Sequence, residues 1–171
     1  LNQLGKAYAF EPSETLFEIL NYNCAENSNV TPVKIALSDK AGVVLCHKEW
    51  EHMVIGKSDS ENNNIAVVSE SGDEYCKWNF ITPDVIKIDV EGHEVKVLRG
   101  LHETIKQNRP IIFLETHYGR IPLDGDTTND IVNFIKEFNY TVIDSFTDSE
   151  IDPEEINKEK EGERHLVLIP K

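Results

Sequence analysis

Asp89, Glu91 and His93 lie close together in the run Ile88-Asp89-Val90-Glu91-Gly92-His93-Glu94. A carboxylate at the end of a buried strand can take a proton from a hydroxyl, or bind a metal ion that lowers the hydroxyl's pKa. The imidazole of His93 can do the same near neutral pH, although a place in the first turn of a helix predicts an exposed side chain. Glu94 there complements the positive end of that helix. Further on, Glu115 and His117 alternate with Thr116, so both point to one face of a strand. They fit a base and its orienter, two metal ligands, or a hydrogen-bonded surface pair. Glu11 follows an early strand, where a carboxylate accepts from the ribose hydroxyls of an adenosine cofactor or caps the next helix. Ser38 and Asp39 form a later turn, with Asp39 either near an adenine edge or only shaping the turn before Gly42. Glu11, Asp39, Asp89, Glu91 and Glu115 together make an acidic rim that needs a cation, a metal or a hydroxyl-bearing ligand to satisfy it.

These groups need strands that end at one edge. Residues 6–10 read as a strand stopped by Glu11-Pro12, and Ser13 then offers an N-cap with Glu14 in the first turn. Leu16, Ile19, Leu20 and Cys24 recur at helical spacing, which predicts a helix to residue 27. Strands are expected at 33–37 and 43–46, and a strand at 65–68 would pair with 43–46. Residues 57–64 read as a loop and 69–74 as a turn. Residues 84–90 have the β-branched density of a buried strand. Val97, Leu98, Leu101 and Ile105 then mark one face of a single helix. Strand 111–115, a helix starting near Thr128, and strands 140–144 and 165–169 complete the chain.

Strand and helix alternate through much of this length, which predicts an α/β fold with a mostly parallel sheet. No helical pattern separates the last two strands, so they should pair antiparallel, with the last strand near the sheet's edge. Residues 145–164 hold eight Asp or Glu between Asp148 and Glu163 and read as a solvated loop.

With 171 residues and 39% hydrophobic content, residues 1–171 suit one domain with a sizeable core. A net charge of -14 without a Lys/Arg cluster argues against nucleic acid and anionic membrane as partners. No apolar run has the length of a membrane span, and the first residues lack a leader pattern. Cys24, Cys46 and Cys76 are far apart and odd in number, which fits reduced thiols of a cytoplasmic protein rather than disulfides or a zinc site.

Three blocks occur in order: Ala9-Phe10-Glu11-Pro12-Ser13; Ala36-Leu37-Ser38-Asp39-Lys40-Ala41-Gly42; and residues 85–94 followed by Val97-Leu98-Arg99-Gly100. Together they resemble the FkbM family of methyltransferases, over roughly residues 7–117. The resemblance implies a Rossmann-like class I methyltransferase sheet with an antiparallel last strand. It implies S-adenosylmethionine as methyl donor and an oxygen acceptor, such as a sugar or another small-molecule hydroxyl. Glu11 would hold the ribose, Ser38-Asp39 would lie near the adenine, and Asp89 would sit near the transferred methyl. For the proton of the acceptor hydroxyl, Asp89 is the first choice of base, with Glu91 or His117 next. A second version places magnesium or calcium between Asp89 and Glu115. The family pattern begins with a strand and a glycine-rich loop, whereas only Leu1 to Gly5 precede the first strand here, so the domain is expected to be N-terminally incomplete.

Two other readings compete. A catalytically inactive relative would keep the sheet and bind a nucleoside or a partner without transfer. A nicotinamide-dependent oxidoreductase would also use an acidic residue after an early strand, but its glycine fingerprint is absent. Acceptor choice resides in loops, here within residues 47–78, and neither the acceptor nor the oligomeric state is legible.

Overall fold

The computed structural model describes residues 5–49, 52–55 and 64–171. Most of the expected 57–64 loop lies outside these residues. Strand β1 (Ala7–Phe10) pairs in parallel with β2 (Val30–Val33). Helix α1 (Glu14–Cys24) joins them, and the Ser13 hydroxyl accepts from the Leu16 N–H at its start. Leu16, Phe17, Leu20 and Cys24 form its half-buried stripe, while Ile19, expected on that stripe, is exposed. The single strand expected at 33–37 is divided, with β3 (Ala36–Ser38) beginning after a break and joining another sheet.

That sheet has the order β3-β6-β4-β5, with β4 Gly42–Glu49, β5 His52–Ile55 and β6 Asn64–Ser71. Val43 pairs with Val68 and Cys46 with Ile65, antiparallel, so the expected partnership of 43–46 and 65–68 is present. The expected turn at 69–74 is replaced by the end of β6 and the start of α2 (Gly72–Trp78). Ser71 caps α2 by accepting from the Glu74 N–H, which satisfies one donor of the first turn.

The main sheet has the order β10-β9-β11-β8-β7, with β7 Val85–Ile88, β8 Ile111–His117, β9 Tyr140–Asp144, β10 Ser149–Ile151 and β11 Glu163–Pro170. Only β7–β8 is parallel within it, and β11 runs antiparallel to both β8 and β9. Antiparallel pairings therefore outnumber parallel ones among the described residues, and the sheets are mixed rather than mostly parallel. The antiparallel last strand sits inside the sheet, not near its edge. The physical reason lies in residues 145–164, which form β10 against β9 and then a 3-10 helix, Pro153–Lys158, whose Ile156 is fully buried. This segment is thus structured rather than a solvated loop, and it carries the chain back so that β11 can enter between β9 and β8.

Core packing follows the two-residue period of the strands. Ile112 and Leu114 of β8, Val142 of β9, and Leu166 and Leu168 of β11 are buried on one face of the sheet. They form one cluster with Val97, Leu98, Leu101 and Ile105, and with Ile131, Phe134 and Ile135 of α5 (Thr128–Glu137). The single helix expected through Val97 and Ile105 is two, α3 (Glu94–Gly100) and α4 (His102–Asn108), divided at Leu101. At the start of α5, both the Thr127 N–H and its hydroxyl donate to Asp130. No helix among the described residues is long and apolar enough to cross a membrane.

Candidate active site

β1 and β7 each hydrogen-bond to one neighbouring strand among the described residues, and their carboxyl ends open on a common cleft of about 1020 Å³. Glu11 lines it beyond β1, Leu37 from β3, Asp89 and Glu91 beyond β7, and Glu115 and His117 from β8. Glu11, Asp89, Glu91 and His117 are therefore brought together. Ser38 and Asp39 are not among the residues facing this cleft.

Glu11 serves as a cap and faces the cleft at once. Its Oε1 accepts from the Ser13 N–H at 2.8 Å, and an ionised carboxylate has further lone pairs to offer. Burial raises its pKa above the ordinary value, and the Ser13 hydrogen bond offsets only part of this. Glu11 is thus a half-buried carboxylate on the cleft wall.

The β7–α3 turn is tightly determined. Glu91 and Gly92 have φ of 55° and 106°, a left-handed pair that Gly92 alone adopts without strain. A Cβ on Gly92 would lie 2.6 Å from the Arg120 Cβ, so the glycine also permits the close approach of the loop after β8. Glu91 is ion-paired with Arg120 across that approach. A non-glycine residue in this conformation costs about 1–2 kcal/mol, and such strain tends to collect at functional sites.

His117 is held from both sides. Its Nδ1 lies 2.6 Å from Oε1 of Glu94, which also accepts from the Gly92 N–H at 3.0 Å. Because an ionised carboxylate only accepts, Nδ1 carries the proton and Nε2 is directed elsewhere. Nε2 is 3.2 Å from Oε2 of Glu91 and 3.7 Å from Oε1 of Glu115. Burial lowers the His117 pKa, but the hydrogen bond and charge of Glu94 and the charges of Asp89 and Glu115 outweigh it, and the net shift is upward. Glu94, expected to complement the start of the helix, is fully buried there and in addition contacts His117 Nδ1.

Asp89 has the opposite character. Burial raises its pKa, but the Lys87 ammonium, 2.8 Å away, and then His117 bring it below the ordinary value. Lys87 also reaches Glu115 at 3.4 Å. Ligand atoms of Asp89, Glu115 and His117 lie within 4.8 Å of one another, close enough to hold a metal ion. A divalent cation placed there would compete with the Lys87 ammonium, whose single positive charge is shared between the two carboxylates.

His93 is the main correction. It is 2% exposed rather than solvent-facing. Its Nε2 lies 2.9 Å from the Ser38 hydroxyl and its Nδ1 lies 2.5 Å from Oδ2 of Asp124. The Ser38 hydroxyl is thus engaged inside the protein, while Asp39 is exposed at the turn. Neither Asp124 nor Arg120 carried a signal in the sequence. Both follow β8 in a stretch without periodicity, and their partners are about thirty positions away.

Strand ends converging on a cleft are where α/β domains bind small molecules. The chain belongs to the FkbM methyltransferase family, since the model of the methyltransferase FkbM domain matches residues 1–142. It is 30% identical over 126 residues to the hexuronic acid methyltransferase AglP of Haloferax volcanii, an alignment covering 70% of this chain and 51% of that protein. The chain thus spans about half the length of that curated relative. The fold is similar to that of methyltransferase FkbM from Methylobacillus flagellatus KT, with a TM-score of 0.54 at 17% identity, over 96% of this chain and 36% of that one.

Proposed function

We propose that the chain binds S-adenosylmethionine in this cleft and serves transfer of the donor's methyl to a hydroxyl oxygen of a sugar or another small molecule. The observation that carries the reading is the convergence of Glu11, Asp89, Glu91 and His117 on one cleft at the strands' carboxyl ends. The sugar class is supported by the likeness to AglP, named a hexuronic acid methyltransferase.

The residues present fit the donor. The raised pKa of Glu11 marks a half-buried carboxylate with acceptor capacity to spare, and paired ribose hydroxyls would satisfy it. When bound, the donor supplies an electrophilic methyl on a sulfonium. Asp89, kept ionised by Lys87, contributes negative charge to that end of the cleft. Its depressed pKa makes it a weak proton acceptor, so the base is His117 rather than Asp89. His117 Nε2 takes the hydroxyl proton, and Glu94 holds Nδ1–H and stabilises the imidazolium that results. Glu91, paired with Arg120, lies 3.2 Å from Nε2, where its charge stabilises the imidazolium once the proton has arrived. Holding acceptor oxygen and methyl in line contributes up to about 7–11 kcal/mol.

The test is methyl transfer by the full-length protein from labelled S-adenosylmethionine to sugars with and without a carboxylate. A labelled ether on a sugar hydroxyl is expected. His117→Asn should lower kcat by about 10²–10⁴-fold while leaving S-adenosylhomocysteine affinity within about twofold. Binding without product on any hydroxyl acceptor would favour an inactive nucleoside-binding domain, and no binding would remove the reading.

A further inference from the structure

The chain carries the same triplet pattern on two neighbouring strands, Glu115-Thr116-His117 on β8 and Glu163-Arg164-His165 on β11. The strands pair antiparallel, with Glu115 opposite His165 and His117 opposite Glu163. Directly opposed residues share a face of the sheet, so each carboxylate stands across from the imidazole of the other triplet. Thr116, between them, points the other way and is buried. Glu115 serves both histidines. Its Oε1 lies 3.7 Å from His117 Nε2, and its Oε2 lies 3.4 Å from His165 Nδ1.

The His117 half of this arrangement belongs to the proposed transfer, and the His165 half does not. His165 Nε2 is 3.6 Å from Oε1 of Glu163. Both contacts of this ring exceed the about 2.7–3.2 Å of an N–H···O hydrogen bond, so neither carboxylate satisfies it. Phe146 meets the ring edge-on, with centroids 5.3 Å apart, which limits its rotation. One ligand atom each from Glu115, Glu163 and His165 lies within 4.8 Å of the other two. An ion with bonds of about 2.0–2.2 Å holds its ligands roughly 3.0–4.4 Å apart, so a small turn of the exposed Glu163 side chain closes the set. Lys87 also reaches Oε2 of Glu115, at 3.4 Å, but its shorter contact is with Asp89 at 2.8 Å. An ion between Glu115, Glu163 and His165 competes only for the longer of the two. It also leaves both nitrogens of His117 as they are.

We propose that Glu115, Glu163 and His165 form a binding site for a first-row divalent cation such as zinc. Two carboxylate oxygens and one imidazole nitrogen suit such an ion better than magnesium or calcium, which favour oxygen ligands throughout. Three protein ligands leave a coordination position for water or another oxygen ligand. Glu115 and Glu163 both line the cleft, so the ion adds positive charge to its acidic rim, where the single charge of Lys87 is shared between Asp89 and Glu115. The site stands independently of what the cleft binds.

The experiment is calorimetry on the full-length protein, first stripped with chelator, with zinc chloride and with magnesium chloride. One zinc ion per chain should bind, at least about tenfold more tightly than magnesium. Glu163→Gln and His165→Asn should each weaken zinc by about tenfold or more, because each removes a ligand. Both side chains are at the surface, so metal-free thermal unfolding of these variants should match that of the unmodified protein. His117→Asn should leave zinc affinity within about threefold. Manganese, added as a paramagnetic probe, should broaden the ring resonances of His165 before those of His102, which shows where the ion sits without recourse to activity. Absence of zinc binding overturns the proposal, as does zinc affinity that neither Glu163→Gln nor His165→Asn alters. Loss of zinc in His117→Asn, with binding kept in the other two variants, would move the ion to the Asp89 side of Glu115 and overturn it as well.

Discussion

Truncating Glu94 should damage the fold, and the damage should depend on pH. Its side chain is fully buried, and one oxygen accepts both the Gly92 N–H at 3.0 Å and His117 Nδ1–H at 2.6 Å. Glu94→Ala leaves two buried donors unsatisfied. At about 1.5–3 kcal/mol for each bond to a charged group, the expected cost is about 3–6 kcal/mol, a large share of a domain's about 5–15 kcal/mol. Glu94→Gln keeps one acceptor oxygen but loses the charge and puts an NH2 where the buried Oε2 has no hydrogen-bond partner, so about 1–3 kcal/mol is expected. The His117 pKa is raised in the fold above its ordinary 6.5. Stability from its protonated form is therefore fully present below 6.5 and disappears as pH rises through the raised folded value. Urea unfolding at pH 6 and pH 9 should show a larger gap between the Glu94→Gln variant and the unmodified protein at the lower pH. Proton resonances of His117 should titrate nearer 6.5 in that variant. A gap that does not change with pH, or an unchanged His117 titration, would refute the argument.

Gly100→Ala must push α3 away from β3, because the new Cβ meets the Ser38 carbonyl oxygen at 1.8 Å. A loss of at least about 1–3 kcal/mol should appear in thermal unfolding, while Gly5→Ala, which meets nothing within 4 Å, should leave stability within about 0.5 kcal/mol. With His117 as base, kcat should rise with pH through its raised pKa and then level off. Asp89→Asn removes one of the charges that raise that pKa, so the rising limb should move to lower pH, and a limb that stays in place would count against His117.

Legibility followed the range over which each signal acts. The partnership of 43–46 with 65–68 was readable because both are short apolar runs bounded by turn residues, although nothing in the runs set their register. Helix α5 was readable from the spacing of Ile131, Phe134 and Ile135 and its start near Thr128. The segment after Asp144 misled because acidic residues dominate it, although Ile151 packs against the core and Ile156 lies within it. Helix α2 was missed despite Ser71 preceding Glu74 at capping spacing, since its seven residues show little periodicity. The acidic rim was visible as residue types at strand ends. The burial of His93 was not, because its partner Ser38 lies 55 positions away and only the packing of α3 on β3 joins them. The parallel bias was overestimated for a similar reason. Strand and helix alternation says nothing about β11 entering between β8 and β9.

Glu11→Gln separates ligand binding from folding at the heart of the cleft. The amide oxygen can still accept from the Ser13 N–H, and the substitution removes a half-buried charge that burial disfavours, so the ligand-free protein should unfold at the same or a slightly higher temperature. Calorimetry of the full-length protein with S-adenosylhomocysteine should then show affinity weakened by about tenfold or more. Equal affinity in the two proteins would contradict the assignment of this cleft to the nucleoside of the methyl donor.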